Sequence, residues 1–132
     1  MPAFAEAIPA RPPAVIVHGL EHARLALAPG HPVTLLSAPG AALYAGCLWW
    51  QQLLAQSGHI GPALLDCAAA PGRALEALKL GLSGIILQNP PPAIAQIAAA
   101  QQALLLPVAP PALDLAQPGA LRRLTEWLAQ KP

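Results

Sequence analysis

Charge is what this chain has least of. Only 10% of its 132 residues are Asp, Glu, Lys or Arg, against roughly 25% in an average soluble domain. The seven basic and six acidic residues are spread singly and leave a formal net charge of +1. No basic stripe is present to neutralise phosphates, which excludes nucleic acid as an expected partner. Phe, Tyr and Met occur once each beside three Trp, so a core has to be built from Leu, Ala, Ile and Val. The two cysteines, Cys47 and Cys67, sit in the middle of apolar segments. The N-terminus lacks the basic region and continuous apolar stretch of a secretory signal, and we expect free thiols in a reducing cytosol. Gly40, Gln51 and Gln52 interrupt the best apolar run before it reaches the roughly 18–20 residues of a spanning helix, so no membrane is expected as a partner.

Apolar residues, at 55%, are plentiful enough to exclude disorder through low hydrophobicity and high charge. The length fits one domain, since domains commonly run about 100–150 residues. Residues 1–13 carry Pro2, Pro9, Pro12 and Pro13 without a sustained period and read as a Pro-rich N-terminal arm. Residues 14–132 read as a single α/β domain.

The stretch from Val33 to Leu54 sets the pattern: a short buried strand, a tight turn at Pro39-Gly40, and a helix. The same unit recurs. Ala14–Val17 reads as a strand and Leu20–Ala28 as a helix, then Pro62–Cys67 and Pro71–Leu80, Gly84–Leu87 and Pro92–Gln102. A fifth strand, Ala103–Leu106, leads through a loop rich in Pro and Ala to a last helix at Pro118–Gln130. Ala38-Pro39-Gly40-Ala41-Ala42-Leu43 and Ala70-Pro71-Gly72-Arg73-Ala74-Leu75 share one phrase, with Pro118-Gly119-Ala120-Leu121 a partial third copy. Each opens a helix, where the missing proline N–H costs nothing.

Apolar strands without alternation, each followed by a helix, imply a parallel sheet covered on both faces. The expectation is a three-layer α/β/α domain with a five-stranded, mainly parallel sheet in the flavodoxin-like order 2-1-3-4-5. The alternative is an incomplete (β/α) barrel that pairs with a second chain. Ligands of such sheets sit beyond the carboxyl ends of the strands, which selects His18, Ser37, Asp66, Cys67, Gln88 and Asn89 as candidate ligand-binding residues. In the assumed order His18 falls beside Asp66 and Cys67.

Each of these residues also has a structural reading. Asp66, costly to bury unpaired, can accept backbone N–H bonds of the following turn or orient His18. Cys67 points to the opposite face by strand alternation and reads as an inert thiol. Ser37 reads as a cap for the next helix, with an anion site as its functional counterpart. Gln88-Asn89 before prolines reads as a turn. Neither a P-loop nor a dinucleotide fingerprint is present, so no cofactor is named. His18-Gly19-Leu20-Glu21-His22 fits the inverted zinc-protease pattern H-x-x-E-H, but His18 ends a strand, so the two imidazoles do not share a helical face and no metal site is expected. His31 and His59 read as loop residues at the helix-to-strand end.

Tyr44, Trp49 and Trp50 form the other candidate. Adjacent helix positions point about 100° apart, so core packing accounts for one Trp and a subunit contact for the other. We therefore expect a homo-oligomer in the cytoplasm. The first functional reading is binding of a small molecule at the carboxyl edge of the sheet, by a binding domain or a weakly specialised enzyme, with non-enzymatic binding favoured. The alternative is a non-catalytic oligomerisation or protein-interaction module using the Trp49-Trp50 helix face.

Overall fold

A computed structural model describes residues 11–130, so most of the expected N-terminal arm lies outside the described residues. Its last residues are tied to the sheet. The Thr34 hydroxyl donates to the Pro12 carbonyl at 2.8 Å, and the Thr34 N–H donates to the Pro13 carbonyl at 2.9 Å.

In chain order the elements are β1 (Ala14–Val17), α1 (Leu20–Leu27), β2 (Thr34–Ser37), α2 (Ala41–Tyr44), α3 (Cys47–Ser57), β3 (Ala63–Asp66), α4 (Pro71–Lys79), β4 (Gly84–Ile86), α5 (Pro92–Ala100), β5 (Leu104–Leu106), β6 (Ala112–Asp114) and α6 (Ala120–Ala129). The chain is α/β, with a parallel sheet of six strands and six helices among the described residues. The expected count of five strands is corrected by β6, three residues inside the Pro-rich loop. The single helix expected after Pro39-Gly40 is two, because Gly46 adopts φ 94° and ψ 158°, a conformation L side chains rarely take. That break turns the chain so that Cys47, Trp50 and Leu53 of α3 face the core.

The three Pro-Gly phrases all open helices, in two registers. Gly40 and Gly119 precede α2 and α6 as left-handed N-caps, with φ 70° and 78°. At α4 the proline itself is the first helical residue, with Ala70 as the N-cap. The phrase therefore marks helix entry without fixing its residue.

The strand order is β5-β4-β3-β2-β1-β6, and every pair is parallel. This corrects the flavodoxin-like order: each of the first five strands lies beside its predecessor, and β6 returns to the free side of β1. The return is short. From Leu106 to Ala112 the chain takes six Cα steps, at most about 23 Å. Five strand spacings in a flat sheet total about 24 Å, before counting the way back from the carboxyl end of β5 to the amino end of β6. The sheet must therefore curl until β5 and β6 approach each other. With six strands in place of the expected five, the α/β arrangement is consistent with three layers, and β5 and β6 are the two edges of the sheet.

Two apolar clusters follow from the alternation of side chains along the strands. The larger joins Val15, Val17, Leu35, Leu65, Ile85 and Leu113 to the helices through residues such as Ala23, Trp50, Leu78, Ile94 and Leu124. The smaller, on the other face, is made by Leu36, Leu64 and Ile86 with partly buried Ile16, Leu104, Leu106 and Ala112. Every member of the second cluster is a strand residue, the contact a curled sheet makes with itself. Gly84 lets β4 approach β3 closely, since a Cβ there would lie 2.5 Å from the Ala63 carbonyl oxygen.

Candidate functional site

The carboxyl ends of the parallel strands share one rim, and the order along it decides which polar residues meet. Gln88 and Asn89 follow β4, Asp66 and Cys67 belong to β3 and its exit, Ser37 ends β2, His18 follows β1, and Asp114 ends β6. His18 is therefore not beside Asp66 and Cys67, because β2 lies between β1 and β3. Its neighbour on the other side is β6, a strand the sequence had hidden.

The middle of the rim is closed on itself. Regular pairing of β2 with β3 runs to Leu36 opposite Leu64. Just past it the Ser37 hydroxyl accepts the Asp66 N–H at 2.9 Å and donates to the Ala38 carbonyl at 3.2 Å. Ser37 does not cap the next helix, whose N-cap is Gly40, without a side-chain bond. Asp66 is buried, and its Oδ1 accepts the Ala68 N–H at 2.8 Å, holding Ala68 at φ 50°. The Ala68 carbonyl in turn accepts the Gln88 N–H at 2.8 Å. Gln88 and Asn89 are exposed, with Asn89 at φ 48°, a left-handed turn position that Asn tolerates better than most residues.

Cys67 points into the large cluster, away from Asp66. Burial above all, with the Cys47, Asp66 and Glu76 charges adding to it, pushes its thiol up to about 12. Cys47 is raised to about 11, again chiefly by burial. A thiol so far from thiolate is a poor nucleophile at neutral pH.

The β1–β6 end of the rim is open. His18 Nε2 lies 2.7 Å from Asp114 Oδ1, with 36% and 25% of the two side chains exposed. Asp114 Oδ1 also accepts the Ala116 N–H at 2.9 Å. His22, in the first turn of α1, accepts the His18 backbone N–H on Nδ1 at 3.1 Å. The two imidazoles stand edge to face, centroids 5.5 Å apart and planes at 89°. Partial burial pushes the Asp114 carboxyl up, but the Ala116 N–H, the His18 bond and the charges of both imidazoles outweigh it and hold the carboxyl below its ordinary value. A carboxylate that holds an imidazole in one orientation is the arrangement by which His is poised to bind or to accept a proton. The H-x-x-E-H pattern thus folds as a strand end and a helix start, and Glu21 is exposed. Among the described residues, no group of three or more His, Cys, Asp or Glu is placed to hold a metal ion.

Sequence reasoning missed Asp114 and His22 as members of the site. A signal for Asp114 was available: Pro111-Ala112-Leu113-Asp114 is a shortened copy of Pro62-Ala63-Leu64-Leu65-Asp66, and it precedes a Pro-Gly helix entry as a strand of this chain does.

Away from the rim, Trp50 is fully buried in the large cluster and Trp49 is partly buried against it, their rings 5.8 Å apart. Tyr44 is 71% exposed, with Leu43 and Leu48 exposed beside it in sequence. Of the expected contact face, Trp50 belongs to the interior, while Tyr44 and part of Trp49 reach the surface. His31 and His59 help line a concavity of about 320 Å³ at the amino ends of the strands, with Leu27, Val33 and Ile60. His59 Nε2 there lies 2.8 Å from the Pro62 carbonyl oxygen, a contact within its own loop. Among the described residues, no helix is long and apolar enough to cross a membrane. Comparison with protein-family models, curated proteins and solved structures returns no significant match.

Proposed function

We propose that this protein binds a small molecule at the carboxyl rim of its sheet, over the ends of β1 and β6. The observation that carries the reading is the solvent-facing His18–Asp114 pair at 2.7 Å, with His22 against it. Open parallel sheets and (β/α) barrels alike take their ligands at the carboxyl ends of the strands, so the revised strand order leaves the end of the molecule unchanged and moves the site along it. Ser37 and Cys67 serve this reading as scaffold, because the Ser37 hydroxyl is committed to the backbone and Cys67 is buried, while Asp66 holds the Ala68 turn through Oδ1.

A metabolite screen by thermal shift tests it, run on the wild type, His18→Gln and Asp114→Asn. A ligand at about 100 times its Kd adds about 2.7 kcal/mol, a rise of several degrees for a domain of this size. The expected result is at least one compound that raises the wild-type Tm and loses that effect in both variants. A screen without any response, or a response that both variants keep, counts against the rim.

The exposed side chains of Leu43, Tyr44 and Leu48 favour a second reading, self-association through this face in a homo-oligomer. Sedimentation of the double variant Tyr44→Lys, Leu48→Lys tests it. The expected outcome is an associated wild type and a monomeric variant, and identical sedimentation of the two removes the reading.

A further inference from the structure

We infer that an opening between α5 and α6 receives the face of Leu43, Tyr44 and Leu48 from a second copy of this chain, so that copies join head to tail; the inference rests on the self-association reading above. The connections create the opening. Each step from β1 to β5 passes through at least one helix, whereas the step from β5 to β6, residues 107–111, contains none. α5 packs on β5 and α6 on β6. Both join the large apolar cluster, through Ile94 and Ala98 of α5 and Leu124 and Leu128 of α6, so they stand on one face of the sheet at its two edges. Beside Ile94 and Ala98, one flank of α5 carries half-buried Ile97 and the other exposed Ala95 and Ala99. With right-handed crossovers and helices antiparallel to the strands, the Ile97 flank turns toward α4 and the Ala95 flank toward α6. The answering flank of α6 is a concavity of about 290 Å³ lined by Arg123, Glu126, Trp127, Gln130 and Leu113 of β6. Burial registers the missing cover: all three residues of β5 are half-buried, where those of β2, β3 and β4 are buried throughout.

The occupant this opening suits is helical and uncharged. α5 has no charged residue, and neither has the chain from residue 41 to 57, which forms α2 and α3. The two surfaces therefore meet without taking a charge out of water, a step that costs free energy unless the charge is paired. Arg123 and Glu126, both exposed, stay at the margin. Leu43, Tyr44 and Leu48 are neighbours in sequence, whereas the other large exposed apolar residues, Ile60, Val108 and Leu121, are scattered along the chain. Position fixes the mode of contact. α2 and α3 connect β2 to β3, in the middle of the sheet, while the opening lies between its edges. Two copies cannot make both contacts with each other at once. The contact is heterologous, and it repeats from copy to copy until a ring closes or a filament grows.

Sedimentation of the full chain over a range of concentrations tests the inference. One double variant, Tyr44→Lys with Leu48→Lys, spoils the inserted face; the other, Ala95→Lys with Ala99→Lys, spoils the opening. All of these positions are exposed, and Lys is a good helix former. Should the α5 variant fail to fold, Gln130→Trp, at an exposed position lining the concavity, takes its place. The wild type is expected to grow beyond dimers as concentration rises, and each variant alone to sediment as a monomer. Their equimolar mixture is expected to form a dimer and stop there, because one intact face of each kind remains. If the α5 and Gln130 variants still associate while the Tyr44 variant does not, two copies of the Tyr44 face meet each other; the head-to-tail inference then falls and self-association stands. A mixture that stays monomeric overturns the inference as well. A wild type that is monomeric at every concentration removes both readings and leaves the opening to the helix of a different protein.

Discussion

Asp66 and Asp114 close the same phrase and end in opposite situations. Each follows proline, alanine and leucine into a short strand, and each offers Oδ1 to the N–H two residues on, Ala68 at 2.8 Å and Ala116 at 2.9 Å. An aspartate at a strand end is thus first a turn-maker. Their neighbours differ. β3 lies between β2 and β4, where Asp66 is buried and its N–H is taken by Ser37. β6 is an edge strand paired with β1, and Asp114 keeps enough surface to hold His18. One local chemistry gives a closed knot in the middle of the sheet and an accessible pair at its margin.

If that contrast is right, the knot matters to stability and the pair to binding. The largest loss should come from Asp66→Ala, which removes a charge-assisted bond worth about 1.5–3 kcal/mol and leaves Ala68 at φ 50° without the contact that holds it there. Ser37→Ala should follow at about 1–3 kcal/mol, the cost of an unmatched buried N–H. Denaturant unfolding measures both, and ligand response at the rim should persist in whatever fraction stays folded. A cost below about 0.5 kcal/mol in either variant would mean that the knot is ornamental and the contrast empty.

How far the sequence could go is visible in the same residues. The β–α alternation, and the end of the sheet where polar residues gather, were legible because period, proline and glycine are local signals. The Ala14–Val17 strand was read with its observed limits. Cys67 and Asp66 on opposite faces followed from strand alternation alone. Strand order was not legible, because β6 has three residues and the step to it contains no helix. Without β6 the partner of His18, 96 residues away, could not be named. The Gly46 break was hidden in an apolar run that reads equally as one helix or two, and the depth of Trp50 depended on where α3 begins after that break.

The pair itself should cost little to remove. His18→Gln or Asp114→Asn is expected to change stability by about 0.2–1 kcal/mol, the ordinary range for partly exposed ion pairs, while abolishing the ligand response. A loss of 2 kcal/mol or more in both would make the pair another structural knot, erasing the difference from Asp66.

The smallest effect is the most specific to Asp114. Its folded carboxyl is held below the ordinary value, so it binds its proton less readily in the folded chain than in the unfolded one. By linkage the resulting stabilisation is present above the unfolded carboxyl value, about 3.9, and is lost as pH falls through the lowered folded value. The Asn variant has no proton to bind. Wild type and Asp114→Asn should therefore draw together as pH falls below about 4. The comparison is made between the two curves because the remaining acidic groups contribute to both and cancel. Curves that stay parallel down to about pH 3 would show Asp114 titrating alike in both states, and the imidazoles beside it would then be neighbours in space without coupling to its carboxylate.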